Sequence, residues 1–321
     1  MSLQQLVKNR RQWLIPVGIL IGLIVTGCSS QNTTVADGEE KPQVVSTSTI
    51  IADLTQRVGG DEIEHKGILQ PGADPHVYEP TPRDSVALEN ADLILYNGFN
   101  LEPGLIRMIE STGIRATKYA VGEVVEPLDF EYQGQKEPDP HVWGDAKNAI
   151  AMTEAIRDRL IELSTEDEAE FTANAQELIA ELEEIDDWIT TQIQTIPESQ
   201  RKLITTHDAF QYYTSAYGLE MAGTLIGIST EEQPSAQTVK NLSNAIKNLK
   251  IPAIFAETTI NPQLIKTVAE EAKVKLAPEE LYSDSIGAPG TNGDSYVKML
   301  QANTKSIVES LGGNYQAFEK E

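Results

Sequence analysis

The chain has 321 residues, enough for two domains with cores of ordinary size. Its 25 Lys and Arg stand against 49 Asp and Glu, a formal net charge of −24. So one-sided an acidic balance excludes a nucleic-acid partner, whose phosphates need a basic footprint.

Residues 1–28 differ from the rest. Lys8, Arg10 and Arg11 form a positive stretch, and the uncharged apolar run Trp13 to Gly27 follows. That run is short for a membrane span and suits the apolar part of a signal peptide. It ends at Val25-Thr26-Gly27-Cys28, which resembles the lipobox of bacterial lipoproteins and makes Cys28 the candidate lipidation site. Cys28 is the only cysteine, so no intrachain disulfide is possible. Ser29 to Pro42 is polar and rich in small residues and reads as a flexible tether.

From Gln43 onward strand and helix patterns alternate. Val44–Thr49, Glu62–Leu69, Asp92–Tyr96 and Ala116–Val121 read as strands. Between them Ile50–Val58, Pro82–Asn90 and Glu102–Ser111 read as helices, with Pro82 at its favoured first-turn place. Gly122–Pro140 reads as a polar connection and Asp145–Leu163 as a helix.

Thr165–Ile196 carries Phe171, Ala175, Leu178, Leu182, Ile185, Ile189, Ile193 and Ile196 at steps of three or four. This is the stripe of one long amphipathic helix, with a capping box expected from Thr165 and Glu168 and a stop at Pro197.

The rhythm then resumes. Strands are expected at Lys202–Thr206, Glu220–Ile226, Ala253–Glu257 and Val274–Ala277. Helices are expected at Ala209–Tyr217, Gln237–Leu249, Gln263–Ala272 and Ser295–Leu311. The pattern predicts an α/β fold: two lobes with mostly parallel sheets joined by one long rigid helix. The expected boundaries are 1–28 for the signal and lipidated cysteine, 29–42 for the tether and 43–163 for the N-terminal lobe. The linking helix takes 164–197 and the C-terminal lobe 198–321.

The tetrapeptide Asp-Pro-His-Val occurs twice, at Asp74–Val77 and Asp139–Val142, in a chain with only 4 histidines. Proline restricts itself and the residue before it, which fixes the direction in which each imidazole leaves its loop. His207 ends the strand Leu203–Thr206, where ligands of parallel α/β sheets converge. His65 alternates outward among charged neighbours and reads as a surface residue.

Three imidazoles call for a carboxylate to complete a tetrahedral site. Asp284 is assigned to the metal and Asp294, just before the last helix, to its N-cap. Asp74, Asp139 and Glu257 are expected behind the ligands, orienting them.

These motifs resemble, as a set, the metal-binding solute-binding lipoproteins of ABC importers, the manganese, zinc or iron branch. The carriers are Gly72–Pro80, Asp139–Trp143, Thr205–Phe210 and Tyr282–Ser285, spread over nearly the whole chain after Cys28. The resemblance implies two α/β lobes bridged by one long helix, the metal-type periplasmic-binding-protein fold. It also implies His76, His141, His207 and Asp284 as metal ligands, two from each lobe.

Around His76 and Leu93–Gly98 the sequence is most similar to cyanobacterial manganese binders, which usually carry Glu where this chain has His207. A third imidazole favours zinc, because manganese is weakest in the usual affinity order. The expected cargo is therefore Mn2+ or Zn2+.

The expected protein is not an enzyme and has no catalytic residues. It is a monomer on the extracytoplasmic (periplasmic) face of a bacterial membrane, held to the lipid bilayer through Cys28. Its partners are an ABC permease and its ATPase. The alternatives are a zinc-dependent metallohydrolase with Glu257 as base, and a surface adhesin lipoprotein.

Overall fold

The computed structural model describes residues 41–112, 115–132 and 135–320. Cys28, the signal segment and most of the tether lie outside the described residues. The chain from Lys41 onward forms one compact unit.

Before the long helix the strands are β1 (Gln43–Ser46), β2 (Glu64–Gly67), β3 (Leu93–Tyr96) and β4 (Thr117–Ala120), connected by α1 (Thr49–Gly59), α2 (Pro82–Asn90) and α3 (Pro103–Ser111). They form one parallel sheet in the order β2-β1-β3-β4. Its central strands are apolar on both faces because helices cover both, as in β3, where Leu93, Ile94 and Leu95 are all buried.

The stretch expected as a polar connection contains a small antiparallel hairpin, β5 (Asp129–Tyr132) with β6 (Gln135–Pro138). The alternation Asp-Phe-Glu-Tyr is its signal in the sequence, a period of two in a segment that is otherwise polar.

The helix α4 (Ala146–Leu163) leads to the organising element, α5 (Glu168–Gln194), 27 residues and about 40 Å long. Its predicted stripe from Phe171 to Ile193 is fully buried and packs against α4, α1 and α9 (Tyr296–Ser310). The start differs from expectation. Thr165–Asp167 is a 3-10 turn and no capping box forms, because Ser164 Oγ donates to Asp167 Oδ2 at 2.6 Å and Asp167 takes the cap position.

After α5 come β7 (Lys202–Thr205), α6 (Gln211–Tyr217), β8 (Glu220–Thr224), α7 (Ala236–Leu249), β9 (Ala253–Ile254), α8 (Gln263–Ala272) and β10 (Lys275–Leu276). Strands β7 and β8 pair in parallel, as do β9 and β10. A backbone bond from Phe255 N to Ile204 O, 2.9 Å, links the two pairs. The strand expected over Ala253–Glu257 stops at Ile254 and returns as a single bridge between Glu257 and Leu281.

Two smaller expectations are corrected. His65 is half-buried, with Nε2 2.9 Å from Ser46 Oγ, and burial pushes its imidazole pKa down to about 4. The cap of α9 is Ser295, whose Oγ accepts from Lys298 N, while Asp294 accepts from Gly290 N and pairs with Lys298.

One apolar core runs without a break from Val44 and Ile51 through the buried face of α5 to Tyr296 and Ile307. The four-stranded sheet and the β7–β8 pair are thus held by shared packing as well as by chain connectivity. Among the described residues no helix is long and apolar enough to cross a membrane.

Candidate metal centre

Each of four side chains is delivered by a loop at the carboxyl side of a strand or beside one. In the loop between β2 and α2, Asp74 Oδ1 accepts the backbone N–H of His76 at 2.9 Å. This tightens the turn that Pro75 has already restricted. Gly104, in the first turn of α3, lets that helix reach the same loop, because a Cβ there would lie 2.5 Å from the Tyr78 carbonyl oxygen.

At the second tetrapeptide Asp139 Oδ1 sits 3.0 Å from His141 N and 2.7 Å from its Nδ1, holding both backbone and ring. His207 follows β7, and Glu257 takes its backbone N–H at 2.8 Å and its Nδ1 at 2.5 Å. Asp284 lies in a loop held from the other half of the chain. Trp143 Nε1 donates to Ser283 O at 2.9 Å and Gly72 N to Ser285 Oγ at 2.8 Å. Thr49 Oγ1 accepts from Ile286 N at 3.0 Å.

The tertiary fold brings His76, His141, His207 and Asp284 together, with one ligand atom from each within 4.8 Å of all the others. His76 is 4% exposed, His141 and His207 0%, and Asp284 1%. The ring centroids of the three histidines are 5.3 to 5.9 Å apart and tilted by 55° to 82°, so the rings converge edge-on and do not stack.

His76 Nε2 and His141 Nε2 approach to 3.2 Å. Asp284 Oδ1 lies 3.4 Å from His141 Nε2 and Oδ2 lies 3.2 Å from His207 Nε2. The two imidazoles share a hydrogen bond, but the Asp284 approaches are not aligned as one: both Asp284 oxygens and His207 Nε2 are buried without a hydrogen-bond partner. A buried carboxylate and imidazole left unpaired cost several kcal/mol in an ordinary core. Here the unpaired atoms belong to a set of four residues whose ligand atoms gather within 4.8 Å of one another.

Electrostatics agree with this. Burial together with the neighbouring imidazoles pushes His76 down to about 3, against the pull of Asp284, so at neutral pH it is an uncharged imidazole with one nitrogen protonated and the other free to bind a cation. Burial also opposes charge on His207, but the carboxylates of Asp284 and Glu257 outweigh it and hold the imidazole well above its ordinary value. For Asp284 burial acts upward, and His207, His141 and His76 overcome it, keeping the carboxyl ionised far below the usual range.

Of the three carboxylates expected behind the ligands, Asp139 and Glu257 lie at the Nδ1 atoms of His141 and His207, while Asp74 touches the backbone of His76 and not its ring. Sequence reasoning missed Trp143, Ser285 and Thr49, which fix the Asp284 loop. Trp143 and Ser285 are the last residues of two of the motifs; Thr49 and its partners are more than 230 residues apart and left no trace in the pattern. His76 lines a cleft of about 1240 Å³. Its walls carry Glu110, Glu123, Glu137, Asp208, Glu231 and Glu232 against a single guanidinium, Arg107. Such a wall attracts cations and repels anions.

Fold and site together define an α/β binding protein with parallel sheets on both sides of one long helix and a buried cluster of three histidines and one aspartate. The chain belongs to the ZnuA family, described as zinc-uptake complex component A, periplasmic, which matches residues 44–310. It is 33% identical over 312 residues to the manganese ABC transporter substrate-binding lipoprotein scaA of Streptococcus gordonii, covering 95% of this chain and 99% of that one. It is 31% identical over 293 residues to the manganese-binding lipoprotein MntA of Halalkalibacterium halodurans, covering 91% and 96%. Among solved structures, the periplasmic zinc binding protein TroA from Treponema pallidum superposes with a TM-score of 0.81 at 34% identity, over 85% of this chain and 99% of that one.

Proposed function

We propose that this protein is the extracytoplasmic substrate-binding lipoprotein of an ABC importer and that its cargo is Mn2+ or Zn2+. His76, His141 and His207 supply three imidazole nitrogens and Asp284 a carboxylate, a donor set suited to a tetrahedral or slightly expanded first-row cation. Asp139 and Glu257 fix the tautomers of two ligands and raise their basicity. The observation that carries the reading is the convergence of these buried donors, with both Asp284 oxygens left unpaired.

In this reading residues 43–163 and 198–321 act as two lobes and 164–197 as the strut between them, tilting slightly as metal is captured or released. The continuous core across α5 supports a small motion over a wide hinge. The loaded protein hands its ion to a permease driven by an ATPase, as a monomer tethered to the bilayer through Cys28. It catalyses no reaction: four protein donors fill a tetrahedral site, and scaA is named as a substrate-binding lipoprotein and MntA as a manganese-binding one, which favours neither the hydrolase nor the adhesin alternative.

Competitive titration of the metal-free protein with Mn2+ and Zn2+ tests this. One ion bound per chain, with Zn2+ tighter, is expected; no retention of either ion overturns the reading. His207→Glu replaces an imidazole by a carboxylate, and the preference for Zn2+ over Mn2+ is expected to narrow by about tenfold or more.

A further inference from the structure

Residues 225–235, between β8 and α7, form one wall of the cleft through Gly227, Ile228, Ser229, Glu231 and Glu232. The segment is fixed at one end by the bond from Asp208 N to Gly227 O, 3.2 Å, and at the other by Ser235, which caps α7. Between these ends, one hydrogen bond among the described residues ties it to the chain before α5: Thr230 Oγ1 donates to Asp74 Oδ2 at 2.6 Å. The second oxygen of that carboxylate accepts the backbone N–H of His76. One carboxylate thus joins a residue of the centre to a strap that lines the same cleft.

His76 is also the least supported of the three imidazoles. Asp139 and Glu257 stand behind His141 and His207, whereas no carboxylate pairs with the His76 ring among the described residues. It is also the imidazole that lines the cleft. A cation moving between cleft and centre must therefore pass His76, and the strap and the His76 loop are the walls that must part.

We propose that the Thr230–Asp74 hydrogen bond is the latch of this passage, which makes Thr230 a positioning residue that sets how fast the ion is released. This rests on the reading of the cluster as a metal centre. Thr230 is not one of the four converging residues, so its loss changes the barrier to strap movement and leaves the donor set intact.

The test uses the full chain loaded with Co2+ or Zn2+ and mixed rapidly with excess chelator. Thr230→Val keeps the shape of the side chain and removes the donor. Release is expected to be roughly tenfold faster, the size of one lost hydrogen bond to a carboxylate. The visible spectrum of bound Co2+ is expected to stay unchanged, and Thr230→Ser to restore the original rate. A Thr230→Val release rate within about twofold of the parent protein overturns the latch. An altered Co2+ spectrum also overturns it, since Thr230 would then act on coordination geometry. If the parent protein retains neither ion, the metal-centre reading itself fails, a result distinct from a loaded protein with an unchanged release rate.

Discussion

Glu257 grips His207 twice, taking its backbone N–H at 2.8 Å and its ring Nδ1 at 2.5 Å, although the two residues are 50 positions apart. The second contact leaves Nε2 as the ring atom that faces Asp284, His76 and His141, the nitrogen a cation would meet once its proton has gone. The carboxylate charge also raises the basicity of that nitrogen.

Replacing Glu257 by Gln keeps the shape and removes the charge. Metal affinity is expected to fall by roughly 10- to 100-fold while the folded structure persists. Calorimetric titration beside a thermal melt checks both halves; an unchanged affinity sinks the idea that Glu257 strengthens its imidazole.

Protons and cation compete for the same donors. Despite burial, Asp284 and Glu257 hold His207 above its ordinary value and favour its charged form, while His76, pushed down to about 3, is an uncharged imidazole at neutral pH. Capture should therefore release protons, at least one of them from His207, and weaken as the medium acidifies. Titration in buffers of differing ionisation enthalpy measures this number. Zero protons released would contradict the assignment of charge within the cluster.

Glu102 offers a separate test of pH dependence. Its side chain is fully enclosed, and burial pushes the carboxyl up to about 7 even though Asn97 N and Thr47 Oγ1 donate to Oε1. The folded form holds its proton more tightly than the unfolded chain, so the stabilising contribution is complete below about pH 4.5 and is lost as pH rises through 7. The loss amounts to at most about 3 kcal/mol. Glu102→Gln should flatten the stability profile between these pH values, partly offset by burying an amide N–H2 where Oε2 has no partner. Denaturant midpoints at pH 5 and pH 8 read the difference; equal slopes in both proteins would remove Glu102 from the account.

The spine can be tested through its buried stripe. Leu182 is 0% exposed in the core shared by α5 and its neighbours. Leu182→Ala is expected to cost about 2–5 kcal/mol, through lost burial and the cavity left behind. A melt showing less than about 1 kcal/mol of destabilisation would mean that the site collapses freely and that the spine is not rigidly packed.

Much of this architecture was legible in one dimension. The stripe from Phe171 to Ile193 announces α5 because a helix repeats its buried face every three or four residues, and that period survives in the sequence. The apolar run Leu93–Leu95 and the helix-opening Pro82 are equally local signals, and the structure places β3 and α2 there. The repeated Asp-Pro-His-Val drew attention to His76 and His141, since a rare residue in a doubled, stiff motif leaves a mark that needs no partner to be seen.

What no local pattern fixed is which neighbours each of these residues meets. Identical tetrapeptides end differently: Asp139 reaches the ring of its histidine, whereas Asp74 spends its second oxygen on Thr230, 156 residues away. The start of α5 and the cap of α9 shifted because short polar side chains at adjacent positions compete for the same backbone groups, and packing selects the winner. The half-burial of His65 against Ser46, the hold of Thr49 on the Asp284 loop and the meeting of four donors at one point were decided only when the sheets closed about α5. Contacts between distant segments depend on the sum of the packing, and no short window of the chain contains that sum.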